Sequence, residues 1–106
     1  MKKYQVKLTP RASNSINEIV RDLHRTVNPG FATKIRKEII TAIKGLATFP
    51  EAYQQSDALS TKNTTYRRAL TSSHKVVFIV KENTLEVIVV QVYHQSRGRE
   101  WIDDNV

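Results

Sequence analysis

The stretch from Tyr66 to His94 decides the fold of this chain, and it reads YRRALTSSHKVVFIVKENTLEVIVVQVYH. It alone contains enough consecutive β-forming residues to build a sheet, in the runs 76–80 and 85–92. The polar residues Glu82, Asn83 and Thr84 separate the two runs, so the pattern predicts a β-hairpin. Residues 66–71 alternate in facing and are followed by a polar turn, which predicts a third strand in the same meander.

Two helices are predicted upstream of the meander, after an alternating edge strand at residues 3–8. Thr9 with Pro10, and Asn28 with Pro29, each combine a capping side chain with a proline suited to the first helical turn. Apolar residues follow both signals at helical spacing, namely Ala12, Ile16, Ile19, Val20, Leu23 and Val27, then Phe31, Ile35, Ile39, Ala42, Ile43 and Leu46. The short link between them predicts a helical hairpin.

The predicted element order is β-α-α-β-β-β, with a short terminal helix from Ser96 to Asp104. We expect a single α+β domain over residues 1–106, in which the helical hairpin covers one face of a four-stranded, mostly antiparallel sheet. The predicted core combines apolar residues of both helices and the last two strands, namely Ile16, Ile19, Leu23, Ile35, Ile39, Ile43, Val77, Ile79, Val87 and Val89.

The composition is that of a basic globular protein, with 17 Lys and Arg against 10 Asp and Glu and a net charge of +7. Such a charge predicts attraction to nucleic acid or to an acidic protein, although a solvated basic surface explains it equally well. The absence of cysteine excludes disulfides and thiolate catalysis. No run resembles a membrane span or a signal peptide, so we expect a cytoplasmic protein without membrane contact.

The chemistry-bearing residues form a cationic set around the meander. The motifs GxxxxGK[ST], HExxH and GxSxG are absent, which removes support for ATPase, zinc peptidase and serine hydrolase activities. Cutting RNA beside its 2′-hydroxyl needs a proton acceptor, a proton donor and cations, and it needs no metal or other cofactor. The candidate catalytic residues are His94, Arg67 and Lys75. The candidate RNA-binding or phosphate-binding residues are Arg68, Arg97, Arg99, Lys62 and Trp101.

The same cations suit a second interpretation, in which they bind phosphates or an acidic polypeptide without doing chemistry. His24 is expected on a helix surface and His74 in a turn, which leaves His94 as the histidine of interest.

Several segments, taken in succession, resemble the RelE/ParE superfamily of bacterial type II toxins. They are YQVKLTPRA at 4–12, IKGL at 43–46, FP at 49–50, YRRAL at 66–70, VVFIV at 76–80 and HQSR at 94–97. The resemblance spans nearly the whole chain and agrees in element order. It implies a toxin that a cognate acidic antitoxin neutralises in a hetero-oligomer. It also implies that the toxin stalls growth, either by cleaving mRNA on the ribosome or by poisoning DNA gyrase.

Individual positions differ in how closely they match the residues of this superfamily. Arg67 falls where RelE-like nucleases have a lysine, and Lys75 falls where they have an arginine. Ala69 stands in place of a second lysine of those nucleases, and Gln95 in place of a later arginine. His94 resembles a histidine that ends the last strand in some relatives.

The choice between the two targets depends on side-chain chemistry. The leucine-x-x-phenylalanine-proline ending at residues 46–50 is more ParE-like, which supports gyrase. The ordinary pKa of histidine, about 6.5, would let His94 exchange a proton at neutral pH, so from the sequence we favour ribosome-dependent mRNA cleavage. A non-toxic nucleic-acid-binding module is the remaining class. Under the nuclease hypothesis, His94→Ala and Arg67→Ala each abolish or strongly reduce mRNA cleavage and leave antitoxin binding and folding nearly intact.

Overall fold

The computed structural model of the chain describes residues 3–55 and 64–96. Within these residues the elements are β1 (Gln5–Leu8), α1 (Pro10–Thr26), α2 (Pro29–Gly45), a short 3-10 helix (Pro50–Ala52), β2 (Arg67–Leu70), β3 (His74–Lys81) and β4 (Glu86–His94). The predicted order of strands and helices is therefore confirmed. The predicted terminal helix from Ser96 to Asp104 lies, beyond its first residue, outside the described residues.

Both helices begin where the capping signals predict. The Thr9 hydroxyl accepts a hydrogen bond from the Ala12 backbone N–H at 3.1 Å. The Asn28 side-chain oxygen accepts the Phe31 backbone N–H at 2.7 Å. Each cap satisfies a helix N–H that has no partner within the helix, and each is followed by a proline in the first turn. No helix in the described ranges is long and apolar enough to cross a membrane.

The four strands form one mixed sheet in the order β1-β4-β3-β2. β2 and β4 pair with β3 in antiparallel fashion, as the meander predicts, while β1 pairs with β4 in parallel. The register shifts between Val77, which faces Gln91, and Phe78, which faces Val89. Val90 is therefore the extra residue of a β-bulge, and the facing of β4 changes on either side of it.

Both helices pack on the same face of the sheet, which confirms the predicted architecture. The main core joins Ile16 of α1 and Ile39 of α2 to Val76 and Phe78 of β3. Val77 is buried, as predicted, but in a separate small cluster, and the predicted core residue Ile79, which shares its parity, is only partly buried. Every position from 76 to 80 is apolar, so the sequence contains no alternation that selects the buried set.

The tip of the helical hairpin departs from the predicted apolar stripe. Val27 and Phe31 flank the link between the helices and are exposed, although they continue the helical spacing. Ala32, which lies one position beyond Phe31, is buried in place of it.

Candidate functional site

The candidate residues of the meander are distributed over both faces of the sheet. We call the face that packs on α1 and α2 the helix-covered face and the opposite one the open face. Cross-strand partners share a face. Ala69 pairs with the core residue Val76, and Arg68 pairs with Val77 of the separate cluster. Arg68 therefore points to the open face. Arg67 is two residues from Ala69 on the same strand, so it points with Ala69 to the helix-covered face.

His94 ends β4 on the helix-covered face and is exposed to solvent. Its Nδ1 accepts the Ser96 backbone N–H at 3.0 Å and lies 2.8 Å from the Ser96 hydroxyl oxygen. Because Nδ1 is an acceptor here, the proton of the neutral ring is on Nε2. The neutral His94 ring can therefore donate a hydrogen bond from Nε2, while its acceptor nitrogen Nδ1 is already engaged by Ser96.

His74 is the cross-strand partner of His94, and their ring centroids are 5.2 Å apart in a T-shaped arrangement. It is the first residue of β3 and is buried, so the prediction of a turn residue is wrong. Its Nδ1 lies 2.7 Å from the Ser73 hydroxyl oxygen. Burial chiefly, and His94 in addition, lower the pKa of His74 to about 4, against an opposing effect of Glu38. His74 is therefore neutral at pH 7.

A cavity of about 160 Å³ adjoins the two histidines and is lined on the α1 side by Glu18 and Asp22. The Asp22 carboxylate is exposed and pairs with Arg25 at 3.2 Å, so this cavity carries charges of both signs.

Arg67 lies on the helix-covered face but is far from His94 along the sheet. Its Nη1 donates a hydrogen bond to the Tyr53 carbonyl oxygen at 2.8 Å, which attaches the start of β2 to the segment after the 3-10 helix. Its partner Phe78 is four positions from His74 on β3, which corresponds to about 13 Å of strand. A cavity of about 430 Å³ beside Arg67 is also lined by the carboxylates Glu51 and Glu82.

Lys75 of β3 and Arg68 of β2 lie on the open face, on the two strands that follow the strand of the buried Tyr93 in the sheet. Lys75 pairs with Tyr93, and its Nζ is 5.9 Å from the centroid of the Tyr93 ring. Burial raises the pKa of the Tyr93 hydroxyl, and the Arg68 guanidinium acts in the opposite direction. The Nε atom of Arg68 is buried and has no hydrogen-bond partner among the described residues.

The three predicted catalytic residues are thus not gathered into one cleft. His94 and Arg67 lie at separate ends of the helix-covered face, and Lys75 lies on the open face. The remaining predicted RNA contacts fall outside the described residues, namely Arg97, Arg99, Lys62 and Trp101. Residues 3–55 and 64–96 contain no cluster of three or more side chains of His, Asp or Glu that could hold a metal ion.

Tyr4 connects three segments and was not singled out from the sequence. Its hydroxyl donates to Glu51 at 3.2 Å and also contacts Glu82. The hydrogen bond to Glu82, followed by burial, raises the pKa of Tyr4 above its usual range. The sequence gives no signal for this contact, because the two carboxylates are distant from Tyr4 along the chain.

Comparison with known proteins identifies relatives by family and by fold. A family model described as the ParE toxin of the type II toxin-antitoxin system, parDE, matches residues 6–99. A search of curated proteins finds no significant match.

Several solved structures share the fold at low sequence identity. A chain of the chromosomal ParDE system from P. aeruginosa matches with a TM-score of 0.72 and 16% identity, over 87% of this chain and 96% of that chain. The RelBE2 complex from Mycobacterium tuberculosis matches with a TM-score of 0.62 and 14% identity, over 92% and 97% of the two chains. The archaeal RelE-RelB complex from Pyrococcus horikoshii OT3 matches with a TM-score of 0.59 and 13% identity, over 92% of this chain and 100% of that chain.

Proposed function

Because the chain belongs to the ParE toxin family of type II toxin–antitoxin systems, we propose that it inhibits growth by binding DNA gyrase. The proposal takes the ParE-like alternative of the resemblance over the RelE-like one. The family model and the ParDE structure, whose TM-score of 0.72 exceeds those of the two RelE-containing complexes, support this choice.

The observation that carries the proposal is the separation of His94, Arg67 and Lys75. A general acid or base must reach the reacting proton directly or through one water, and the phosphate-stabilising cations must lie at the same site. His94 stands beside carboxylates, Arg67 is bonded to the Tyr53 carbonyl oxygen, and Lys75 is on the other face. A toxin that acts by binding its target needs no such assembly.

Besides its target, the proposed protein partner of the chain is a cognate antitoxin. The similar structures come from ParDE and RelBE toxin–antitoxin systems, which supports a hetero-oligomer of the same kind here. The net charge of +7 makes an acidic antitoxin the complementary partner.

Ribosome-dependent mRNA cleavage is the second candidate, and the chemistry of His94 favours it. The ring is exposed, and its imidazolium form would direct an Nε2 proton to solvent, as a general acid requires. In this hypothesis His94, Arg67 and Lys75 remain the catalytic residues, and Arg68, with Arg97, Arg99, Lys62 and Trp101, binds the RNA.

Parallel measurements after induction distinguish the two targets. The wild type, His94→Ala and the control His24→Ala, which changes an exposed histidine of α1, are induced in a bacterial host at matched abundance. Protein synthesis, double-strand DNA breaks and transcript ends are followed from the first minutes. We expect early DNA breaks, spared translation and equal toxicity of all three proteins.

The opposite result is equally clear. The target would be the ribosome and not gyrase if new mRNA ends appear at ribosome-occupied codons, the DNA stays intact and His94→Ala is not toxic. If none of the proteins slows growth, the assignment as a growth-inhibiting toxin is wrong for this chain.

A further inference from the structure

Three lysines of α2 lie in a row along its outer surface. Lys34, Lys37, Thr41 and Lys44 recur at intervals of three, four and three residues, which return to the same side of a helix. All four residues are exposed, and the buried isoleucines of α2 lie on the opposite side. We call Lys34, Lys37, Thr41 and Lys44 the α2 stripe.

The lysines of the α2 stripe have no ion-pair partner among the described residues. Glu38, the acidic residue of α2, is partly buried and accepts a hydrogen bond from the Ser72 hydroxyl. Within residues 3–55 and 64–96, no carboxylate forms an ion pair with Lys34, Lys37 or Lys44. Like charges on neighbouring turns destabilise a helix, so an anion bound along the stripe would relieve a repulsion that the chain leaves uncompensated.

The neighbouring helix does not share this imbalance. α1 carries Arg11, Arg21 and Arg25 together with Glu18 and Asp22, and Arg25 pairs with Asp22 at 3.2 Å. Arg21 lies three positions after Glu18, a spacing that makes the two side chains neighbours on the helix surface. The uncompensated positive charge of the helical hairpin is therefore concentrated on α2.

We propose that the α2 stripe binds the phosphate backbone of duplex DNA. Lys34 and Lys44 are about 15 Å apart along the helix axis, a length over which one strand of a duplex presents about four phosphates. The ammonium groups of the stripe pair with these phosphates, and the Thr41 hydroxyl donates a hydrogen bond to one of them. The inference rests on the proposed function, because gyrase works on duplex DNA and a toxin bound to gyrase is held beside that DNA.

The composition of the α2 stripe favours a duplex over other acidic partners. Its side chains are lysine and threonine, without the aromatic, methionine and arginine side chains that are enriched at protein interfaces. The lack of an aromatic ring also leaves no platform on which single-stranded bases could stack. A row of point charges on a helix instead suits a regular line of phosphates, which can be bound without contact to the bases.

Binding of the full chain to a short labelled DNA duplex, measured by fluorescence anisotropy without gyrase, tests the inference. The α2 variant replaces the lysines of the stripe together, as Lys34→Gln, Lys37→Gln and Lys44→Gln. The matched α1 control removes the same number of exposed positive charges from the other helix, as Arg11→Gln, Arg21→Gln and Arg25→Gln. Both variants therefore have the same net charge.

The salt dependence of binding is the quantity that separates these proteins. Loss of three phosphate contacts removes about 2.7 from the slope of log K against log salt. Between about 50 and about 200 mM salt, the wild type and the α1 control should therefore lose about 40-fold more affinity than the α2 variant does. A third protein with arginine in place of the three lysines keeps the charges and should behave like the wild type.

Urea unfolding of each variant separates an effect on binding from an effect on folding, since lysine, glutamine and arginine have similar helix propensities. The inference is overturned if the wild type does not bind the DNA duplex, or if the α2 and α1 variants lose affinity equally. It is also overturned if single-stranded DNA or duplex RNA of the same length binds more tightly, or if polyglutamate displaces the duplex as well as unlabelled duplex DNA does. Inhibition of supercoiling is a separate readout, so failure here leaves the gyrase proposal to its own test.

Discussion

His74 is the side chain whose environment most strongly predicts a dependence of stability on pH. Burial holds its folded-state pKa at about 4, below the usual 6.5, so the unfolded chain binds a proton more readily between these values. Stability from this group is present above pH 6.5 and is lost as the pH falls toward 4. We expect the free energy of unfolding, measured in urea, to fall by about 2 kcal/mol from pH 7 to pH 5 on account of His74.

The His74→Gln variant isolates this effect from other titrating groups, and His24→Gln provides an exposed control. The loss between pH 7 and pH 5 should be smaller in His74→Gln by about that amount and unchanged in His24→Gln. Equal pH dependence of all three proteins would mean that burial of the neutral His74 ring does not shape acid stability.

Arg67 is expected to contribute to folding, because its guanidinium joins β2 to the Tyr53 carbonyl oxygen. Arg67→Ala should lower the free energy of unfolding by about 1 kcal/mol, the usual size for a partly exposed hydrogen bond. Arg36→Ala, which removes an arginine from the solvent-exposed surface of α2, should change it little. If Arg67→Ala is as stable as the wild type but no longer toxic, Arg67 acts in catalysis and not in folding.

The facing of single residues was the least predictable feature of the sequence. Val76, Val77, Phe78 and Ile79 are all apolar, so either alternate set could have faced the helices. The placement of His74 follows from the same ambiguity, because β3 begins earlier than its apolar run suggests.

The start of α2 depends on a single exposed cap. Asn28→Ala should lower the free energy of unfolding by about 1 kcal/mol, because the Phe31 N–H then loses its acceptor. Asn28→Asp should preserve most of the stability, since the carboxylate also accepts the bond and favours the positive end of the helix dipole. Asn17→Ala, at an exposed position inside α1, is the control in urea unfolding and should not destabilise. If Asn17→Ala lowers the free energy of unfolding as much as Asn28→Ala does, the capping role of Asn28 is wrong.

The helices and strands themselves could be predicted from local chemistry. The Thr9-Pro10 and Asn28-Pro29 signals mark true helix starts, because a cap and a proline act within one turn of the chain. The turn at Glu82, Asn83 and Thr84 joins β3 to β4 as predicted, because the turn preference of polar residues also acts locally along the chain. The parallel placement of β1 beside β4 was not predictable, since it depends on contacts between distant parts of the chain.

The dispersal of the candidate site arises only when the whole sheet is assembled. Arg67, Lys75 and His94 are close in the sequence of the meander, and their residue types alone suggest one cationic site. Strand pairing and the bulge at Val90 determine which face each side chain takes, and neither can be predicted from residue types. This separation of the three side chains favours a toxin that binds its target over one that cleaves RNA.

Incubation of the purified chain with DNA gyrase and plasmid is the most direct test of this claim. We predict that the wild type and His94→Ala inhibit supercoiling with equal potency, and that neither cleaves mRNA on purified ribosomes. Gyrase that stays fully active in excess toxin, with ribosome-bound mRNA cut by the wild type and left intact by His94→Ala, would contradict the account.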